Sequence, residues 1–347
     1  MTERKTQQGL LSLVRDYVAQ SDLSYLPGWN AVASWTVLPL AQGEYNVNFV
    51  LKQGSLRWVL RVNMASQIGR EDQIEYEYQT LALLQPTGVT PAPYAVEREQ
   101  SPFSRGCLWM EYLPGRPLDY QSDLEAVAEL FGRLHSVSAH LGANHLIVEE
   151  APLSMTVAEC RILLVTYWES KRSDLSIGSY LRDVLDWAEE AKARERYLVE
   201  DPWPCVINTE VNSGNFICEP NSGALHLVDW EKALWGDPSQ DLSHFCAPTT
   251  TLWKTDVRLS EQQRRSFLER YKRAVPDVHL RSTIEERVAL RDPFNRLRGV
   301  SWTAMAWVKY QTGEQPVRNP DTFRKMESYL DLVFLRGLFD EYIEQGA

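Results

Sequence analysis

Cysteine is scarce in this sequence, and the five present, Cys107, Cys160, Cys205, Cys218 and Cys246, are odd in number and lack C-x-x-C spacing. Neither a disulfide framework nor a zinc knuckle is indicated, and the thiols read as reduced and mostly buried. Long apolar runs are missing too: nothing approaches the roughly 18 residues that cross a bilayer. The N-terminus sets Leu10, Leu11, Val14, Tyr17 and Val18 at helical spacing amid charge, where a signal peptide carries a continuous apolar block. A cytoplasmic protein without a membrane partner is the expectation. Positive charge is in deficit, 36 Lys plus Arg against 47 Asp plus Glu, for a formal net charge of −11. That argues against a nucleic acid polymer as partner, whose phosphates require a Lys/Arg surface, and matches a small cationic ligand better. No G-x-S-x-G elbow, P-loop or G-x-G-x-x-G is present, so serine-hydrolase, P-loop and dinucleotide readings lack their motifs. Internal repeats and low-complexity segments are lacking as well.

What is present is an ordinary globular composition, 44% hydrophobic and 24% charged over 347 residues, enough for about two domains. After the first helix, Leu26-Pro27-Gly28 breaks the pattern. Three runs rich in Val, Leu and aromatics follow, Trp35–Leu40, Val47–Leu51 and Trp58–Val62, with Lys52-Gln53-Gly54-Ser55 as a hairpin turn. The period becomes helical over Glu71–Leu84, where Ile74, Leu81 and Leu84 are apolar and Gly88 follows the end. Strand-like runs at Tyr94–Val96 and Cys107–Tyr112 complete a unit of five strands and one main helix. From Leu113-Pro114-Gly115-Arg116-Pro117 onward the chain turns mostly helical. The expected division is therefore residues 1–112 and 113–347. Inside the helical part sits one strand pair, Phe216–Cys218 and Leu225–Val228, around the turn Glu219-Pro220-Asn221-Ser222-Gly223.

Polar clusters flank that hairpin. On one side stands Asn208-Thr209-Glu210-Val211-Asn212-Ser213-Gly214-Asn215, and on the other Asp229-Trp230-Glu231. Phosphoryl transfer needs such a set: a carboxylate, Glu210, to orient and accept the proton of an attacking hydroxyl, and oxygen ligands, Asn215 and Asp229, for Mg²⁺ bridging nucleotide phosphates. The hairpin can bring both ligands to one ion. Glu231 reads equally as a second metal-side carboxylate or a structural acceptor.

In order and spacing these clusters resemble the aminoglycoside phosphotransferase and choline kinase branch of the protein-kinase-like superfamily, whose catalytic loop reads H-x-D-x-x-x-x-N before a hairpin and D-W-E or D-x-E. The likeness covers nearly the whole chain. It implies an α+β, bilobal fold, with a small antiparallel five-stranded N-lobe carrying one main helix and a larger, mostly helical C-lobe. It also implies ATP and Mg²⁺ as cofactors. Gly43-Glu44-Tyr45-Asn46 takes the place of the loose phosphate loop, and Arg61 that of the phosphate-pairing lysine. Glu77 resembles the helix glutamate that holds that cation. Met110-Glu111-Tyr112 resembles the hinge that meets adenine. Gly236-Asp237-Pro238-Ser239-Gln240-Asp241-Leu242 matches G-D-P-x-x-D-L, whose last aspartate braces the catalytic loop. The implied activity is transfer of the γ-phosphate to a hydroxyl of a small molecule, with an amino-bearing or cationic acceptor, aminoglycoside- or choline-like, favoured by the acid surplus.

Two departures from that pattern bear on function. Glu210 and Asn208 stand where the family has Asp and His, and one extra methylene moves a carboxylate by roughly an ångström, a scale that can cost about 10²-fold. The alternative reading is thus a nucleotide-binding pseudokinase. Arg61 replaces Lys and offers a planar, permanently charged fork for phosphate oxygens. Among other candidates, His135, His140 and His145 recur every five residues, which does not stack them on one helix face, so they are not expected to bind metal. His135 reads as a helix-end residue and His244 as a packed one. Pro248–Asp256 reads as a loop. Trp168, Trp187, Trp235, Trp253, Trp302 and Trp307 read mainly as core, with a few available to stack on a cationic amine.

Overall fold

The computed structural model describes residues 2–43, 45–66, 68–98, 101–137, 145–220, 222–313 and 320–344. Glu44, His140 and Asn221 lie outside the described residues. The chain divides into two compact units. The first comprises Met1–Leu118, Val137–Ile147 and Asn215–Ala233, and the second comprises Asp119–Ser136, Val148–Gly214 and Leu234–Ala347.

In the first unit, helix α1 (Thr2–Gln20) precedes strands β1 (Thr36–Gln42), β2 (Asn46–Gln53) and β3 (Leu56–Asn63). Helix α2 (Gln73–Leu84) and strands β4 (Pro93–Glu97) and β5 (Cys107–Glu111) follow. The sheet is antiparallel, in the order β1-β2-β3-β5-β4. Gln53 pairs with Leu56 across a two-residue turn in which Gly54 takes φ 60°, the left-handed region that such hairpins require. Alternation then sorts the side chains: Phe49, Leu51, Trp58, Leu60, Val62, Cys107 and Trp109 form one core with Val14, Tyr17 and Val18 of α1. The hairpin Phe216–Cys218/Leu225–Leu227 belongs to this unit, tied to it by Leu227 N–H donating to the Val89 carbonyl at 2.8 Å.

The second unit is mostly helical: α3 (Leu124–Leu134), α4 (Pro152–Glu169), α5 (Leu175–Ala191), α6 (Arg196–Glu200), α7 (Ser239–Cys246), α8 (Pro248–Lys254), α9 (Glu261–Ala274), α10 (Val278–Thr312), α11 (Pro320–Tyr329) and α12 (Leu332–Glu344). One of its cores joins α4, α5, α10 and α12 through Leu164, Leu181, Phe294, Leu297, Ala304 and Phe339. Helix starts follow local chemistry: Ser260 and Gln263 form a reciprocal capping box on α9, and the Asp277 side chain accepts from Leu280 N–H to open α10. Helices α3 and α9 approach so closely that a Cβ on Gly132 would lie 2.4 Å from that of Ala274.

The α+β class, the five-stranded sheet and the helical remainder are all as expected. Two local readings need correction. Pro248–Asp256 is not simply a loop, because Pro248–Lys254 is the helix α8. Proline is preset for a first helical position, and burial of Thr249 against Gly299 of α10 outweighs the modest helix propensity of the three threonines. A short antiparallel pair, Cys205–Ile207 with Leu234–Gly236, also exists that the hydrophobic pattern did not reveal. Three residues are too few to show a period. All five cysteines are buried free thiols. Among the described residues no helix is long and apolar enough to cross a membrane.

Candidate active site

Arg61 occupies the middle of β3, paired across to Asn48 and Leu108, and its side chain is almost fully buried. A buried guanidinium must be compensated, and three carboxylates do so. Its Nε lies 2.9 Å from Glu77 of α2, and Nη2 lies 2.5 Å from Asp229 and 3.7 Å from Glu231. Glu77 also accepts the Trp230 backbone N–H at 3.2 Å, so one carboxylate ties β3 to the segment after the hairpin. Trp230 is fully buried and anchors that segment, its indole N–H donating to the Leu227 carbonyl at 2.8 Å. The neighbouring Asp229 takes φ 67°, a left-handed conformation that costs a non-glycine residue on the order of 1–3 kcal/mol. Such strain persists where the surroundings fix the residue from several sides, as Arg61 and Trp230 do here.

Glu231 is held by amides. Asn46 Nδ2 and Gln73 Nε2 each donate to its Oε2 at 2.5 Å, and Asn46 Oδ1 in turn accepts from Asn63 at 2.8 Å. Asn46, read from the sequence as part of the phosphate loop, therefore directs its side chain to Glu231. Gln73 and Asn63 were not anticipated. The signal for Gln73 was available, since it precedes Glu77 by four residues on α2 and shares its face. Gly43 N–H donates to the Asn46 carbonyl at 2.9 Å, closing the β1–β2 turn.

One guanidinium facing three carboxylates leaves surplus negative charge when all are ionised. Glu77 is pushed up to about 7 and Glu231 to about 8, first by burial, with Arg61 opposing and Asp229 adding repulsion. A carboxyl whose folded pKa exceeds its unfolded value stabilises the fold below the unfolded value, and that contribution is lost as the pH rises through the folded one. Stability should thus decline from about 4.5 upward through about 8. Thermal melts across that range in Glu231→Gln, which retains an acceptor oxygen for Asn46 and Gln73, should show a flatter slope; an unchanged slope would place the titration elsewhere.

Asn215 belongs to the same unit, and its carbonyl accepts Val228 N–H at 2.8 Å, which brings its backbone beside the residue preceding Asp229. An amide oxygen and a partly exposed carboxylate are hard donors suited to Mg²⁺. Among the described residues no group of three or more His, Cys, Asp or Glu side chains forms a metal cage. At the strand expected to serve as hinge, Met110 is buried and Glu111 closes the start of β4, its N–H donating to the Ala92 carbonyl at 2.8 Å and its Oε2 accepting Ala92 N–H at 3.1 Å. The Tyr112 ring lies under Arg57, 5.4 Å from the guanidinium carbon.

Glu210 belongs to the second unit, on the loop after Cys205–Ile207. Asp241 of α7 organises that loop, its two oxygens accepting the backbone N–H groups of Asn208 at 2.7 Å and Thr209 at 2.8 Å. His135, at the end of α3, lies 3.6 Å from Asp241 by Nε2 and 3.1 Å from the Tyr271 hydroxyl by Nδ1. Asn208 Oδ1 accepts Glu210 N–H at 3.0 Å, and Thr209 is held at φ 69°. Arg298 of α10 approaches Glu210, which the sequence did not suggest.

Comparison with known proteins gives a coherent family. The model of a phosphotransferase enzyme family matches residues 36–281. Curated proteins give no match. Among solved structures, choline kinase from Cryptosporidium parvum superimposes with a TM-score of 0.64 at 14% identity, covering 97% of this chain and 99% of that one. Plasmodium vivax ethanolamine kinase gives 0.61 at 13% identity, with 88% and 84% covered. A spectinomycin phosphotransferase in complex with ADP and spectinomycin gives 0.57 at 12% identity, with 88% and 93% covered.

Proposed function

Because the chain belongs to the phosphotransferase enzyme family, we propose that it transfers the γ-phosphate of ATP to a hydroxyl of a small molecule. The observation that carries this reading is the Arg61–Glu77–Asp229 network, which holds a permanent cation beside a partly exposed carboxylate. Arg61 meets phosphate oxygens, oriented by Glu77, with the β1–β2 turn at Gly43 and Asn46 near them and Met110, Glu111 and Tyr112 as the adenine-side strand. Asn215 and Asp229 would hold Mg²⁺, which when bound would neutralise charge on the nucleotide phosphates. Glu210 aligns the acceptor hydroxyl and takes its proton. Transfer through a loose transition state asks for positioning more than for a strong base, so a glutamate suffices if it is held still. The nucleotide-handling residues thus lie on the first unit and the acceptor-facing one on the second.

The acceptor we infer is amino-bearing or cationic, in keeping with the net charge of −11 and with the acceptors named for the choline kinase, ethanolamine kinase and spectinomycin phosphotransferase. Free buried thiols and ATP use suit the cytoplasm. A panel of choline, ethanolamine, spectinomycin and hygromycin B, scored by Mg²⁺-dependent ADP release, tests the reading. On the best acceptor Glu210→Gln should lose about 10²-fold or more in kcat, and turnover equal to the unmodified protein would remove Glu210 from its role. The second reading, a nucleotide-binding pseudokinase, is favoured by Glu210 in the aspartate position. It predicts a thermal shift with ATP and Mg²⁺ but no ADP release with any acceptor.

A further inference from the structure

The extra methylene of Glu210 gives its carboxylate one more rotatable bond than aspartate, and a group that must meet a hydroxyl has to be fixed within about 0.5 Å. The second unit contains a device suited to that task. Arg298 of α10 is mostly buried, and its guanidinium reaches three oxygens. Nη2 lies 3.5 Å from Glu210 Oε1, Nη1 donates to the Thr209 carbonyl at 3.5 Å, and Nε donates to Glu159 Oε2 of α4 at 2.9 Å. The short contact is with Glu159 and the longer ones are with the loop. Long contacts of this kind at catalytic groups commonly tighten only when substrate is bound. Thr209 lies between two braces: Asp241 accepts its N–H, and Arg298 donates to its carbonyl. A β-branched residue at φ 69° needs such support.

We propose that Arg298 is a positioning residue that fixes the Glu210 carboxylate, with Glu159 as the counter-anchor that sets how far the guanidinium reaches. This rests on the reading of Glu210 as the acceptor-facing carboxylate. The arrangement explains why a glutamate can occupy this position: the added reach of the side chain is met by a cation from a helix elsewhere in the unit. Among the described residues, the charged and titratable groups that act most strongly on Arg298 are Glu159, Glu210 and the Cys160 thiol. Two carboxylates therefore compete for one guanidinium, and removing either changes what the other receives.

The test uses the full chain labelled with ¹³C at glutamate carboxyls, the Glu210 resonance being identified by its loss in Glu210→Gln. Arg298→Gln should raise the Glu210 titration midpoint, since a neighbouring cation favours the charged form. Arg298→Lys should restore most of it. Glu159→Gln should move the midpoint the opposite way, downward, because the guanidinium is then shared with no second carboxylate. Loss of any nearby cation or anion shifts a carboxyl midpoint in these directions, so the readout that a merely structural arginine would not move is kcat at unchanged KM for ATP, with its recovery in Arg298→Lys. On the best acceptor of the panel, Arg298→Gln should lower kcat by about 10²-fold with KM for ATP unchanged. If Arg298→Gln fails to fold, Arg298→Lys decides instead, through a Glu210 midpoint and kcat that fall between those expected with and without the guanidinium. A Glu210 midpoint unmoved in the variants that fold overturns the proposal. Wild-type turnover in Glu210→Gln together with a shifted midpoint in Arg298→Gln would overturn the acceptor-facing reading and leave the clamp standing.

Discussion

Asp229→Ala should reduce Mg²⁺-dependent ADP formation by about 10²- to 10³-fold, the usual effect of removing one preorganised electrostatic contributor. The fold should survive. Asp229 is the most exposed of the three carboxylates around Arg61, at 30% against 2% for Glu77 and 6% for Glu231, so little buried structure depends on it. Its charge also raises the pKa of both buried neighbours. Deleting it removes that repulsion, which offsets the lost bond to Arg61, and Glu77 and Glu231 still compensate the guanidinium. The expected pattern is a melting temperature close to that of the unmodified protein without nucleotide, and loss of the added stabilisation by ATP with Mg²⁺. Coupled ADP-release kinetics and paired melts measure the two. Turnover within tenfold of the unmodified protein would show that Asp229 does not hold the metal.

Arg61→Met should have the opposite character, unfolding the protein far more readily. It keeps the volume of the side chain but leaves Glu77 and Glu231 buried with no cation in reach. Breaking a buried pair by removing one partner typically costs about 3–5 kcal/mol. The cost should be greatest above pH 8 and shrink toward pH 6, where protonation of the two carboxyls, pushed up to about 7 and about 8 even with Arg61 present, removes the uncompensated charge. Urea denaturation at the two pH values, compared at equal m, reads this directly. Arg61→Lys should fall between, because a single ammonium cannot serve Glu77 through one nitrogen and Asp229 through another as the guanidinium does. A loss under about 1 kcal/mol at pH 8 would mean that water, not Arg61, compensates the carboxylates.

Much of this architecture can be read locally. The strands β2 and β3 announce themselves by Val, Leu and aromatic runs around a Gly-containing two-residue turn, and the change to helical period marks α2. The ion pair of Arg61 with Glu77 is legible only by likeness to a family, because nothing in either residue's neighbourhood names the other. Glu231 shows the same limit. Its amide partner Gln73 lies 158 residues away in sequence, and a lone glutamate beside a tryptophan carries no sign of whether it faces metal, amide or water.

The order of Glu210, Asn215 and Asp229, the hairpin between the last two and the apolar periods of the elements around them were determined by the sequence itself, because backbone geometry converts spacing directly into turns and faces. Which charges meet was decided by tertiary packing alone. Arg298 reaches Glu210 across 88 residues, brought there by a long helix whose position depends on the core it shares with α4. Hydrophobic burial sets where that helix lies without regard to charge, and Coulomb interactions act only between groups that packing has already made neighbours.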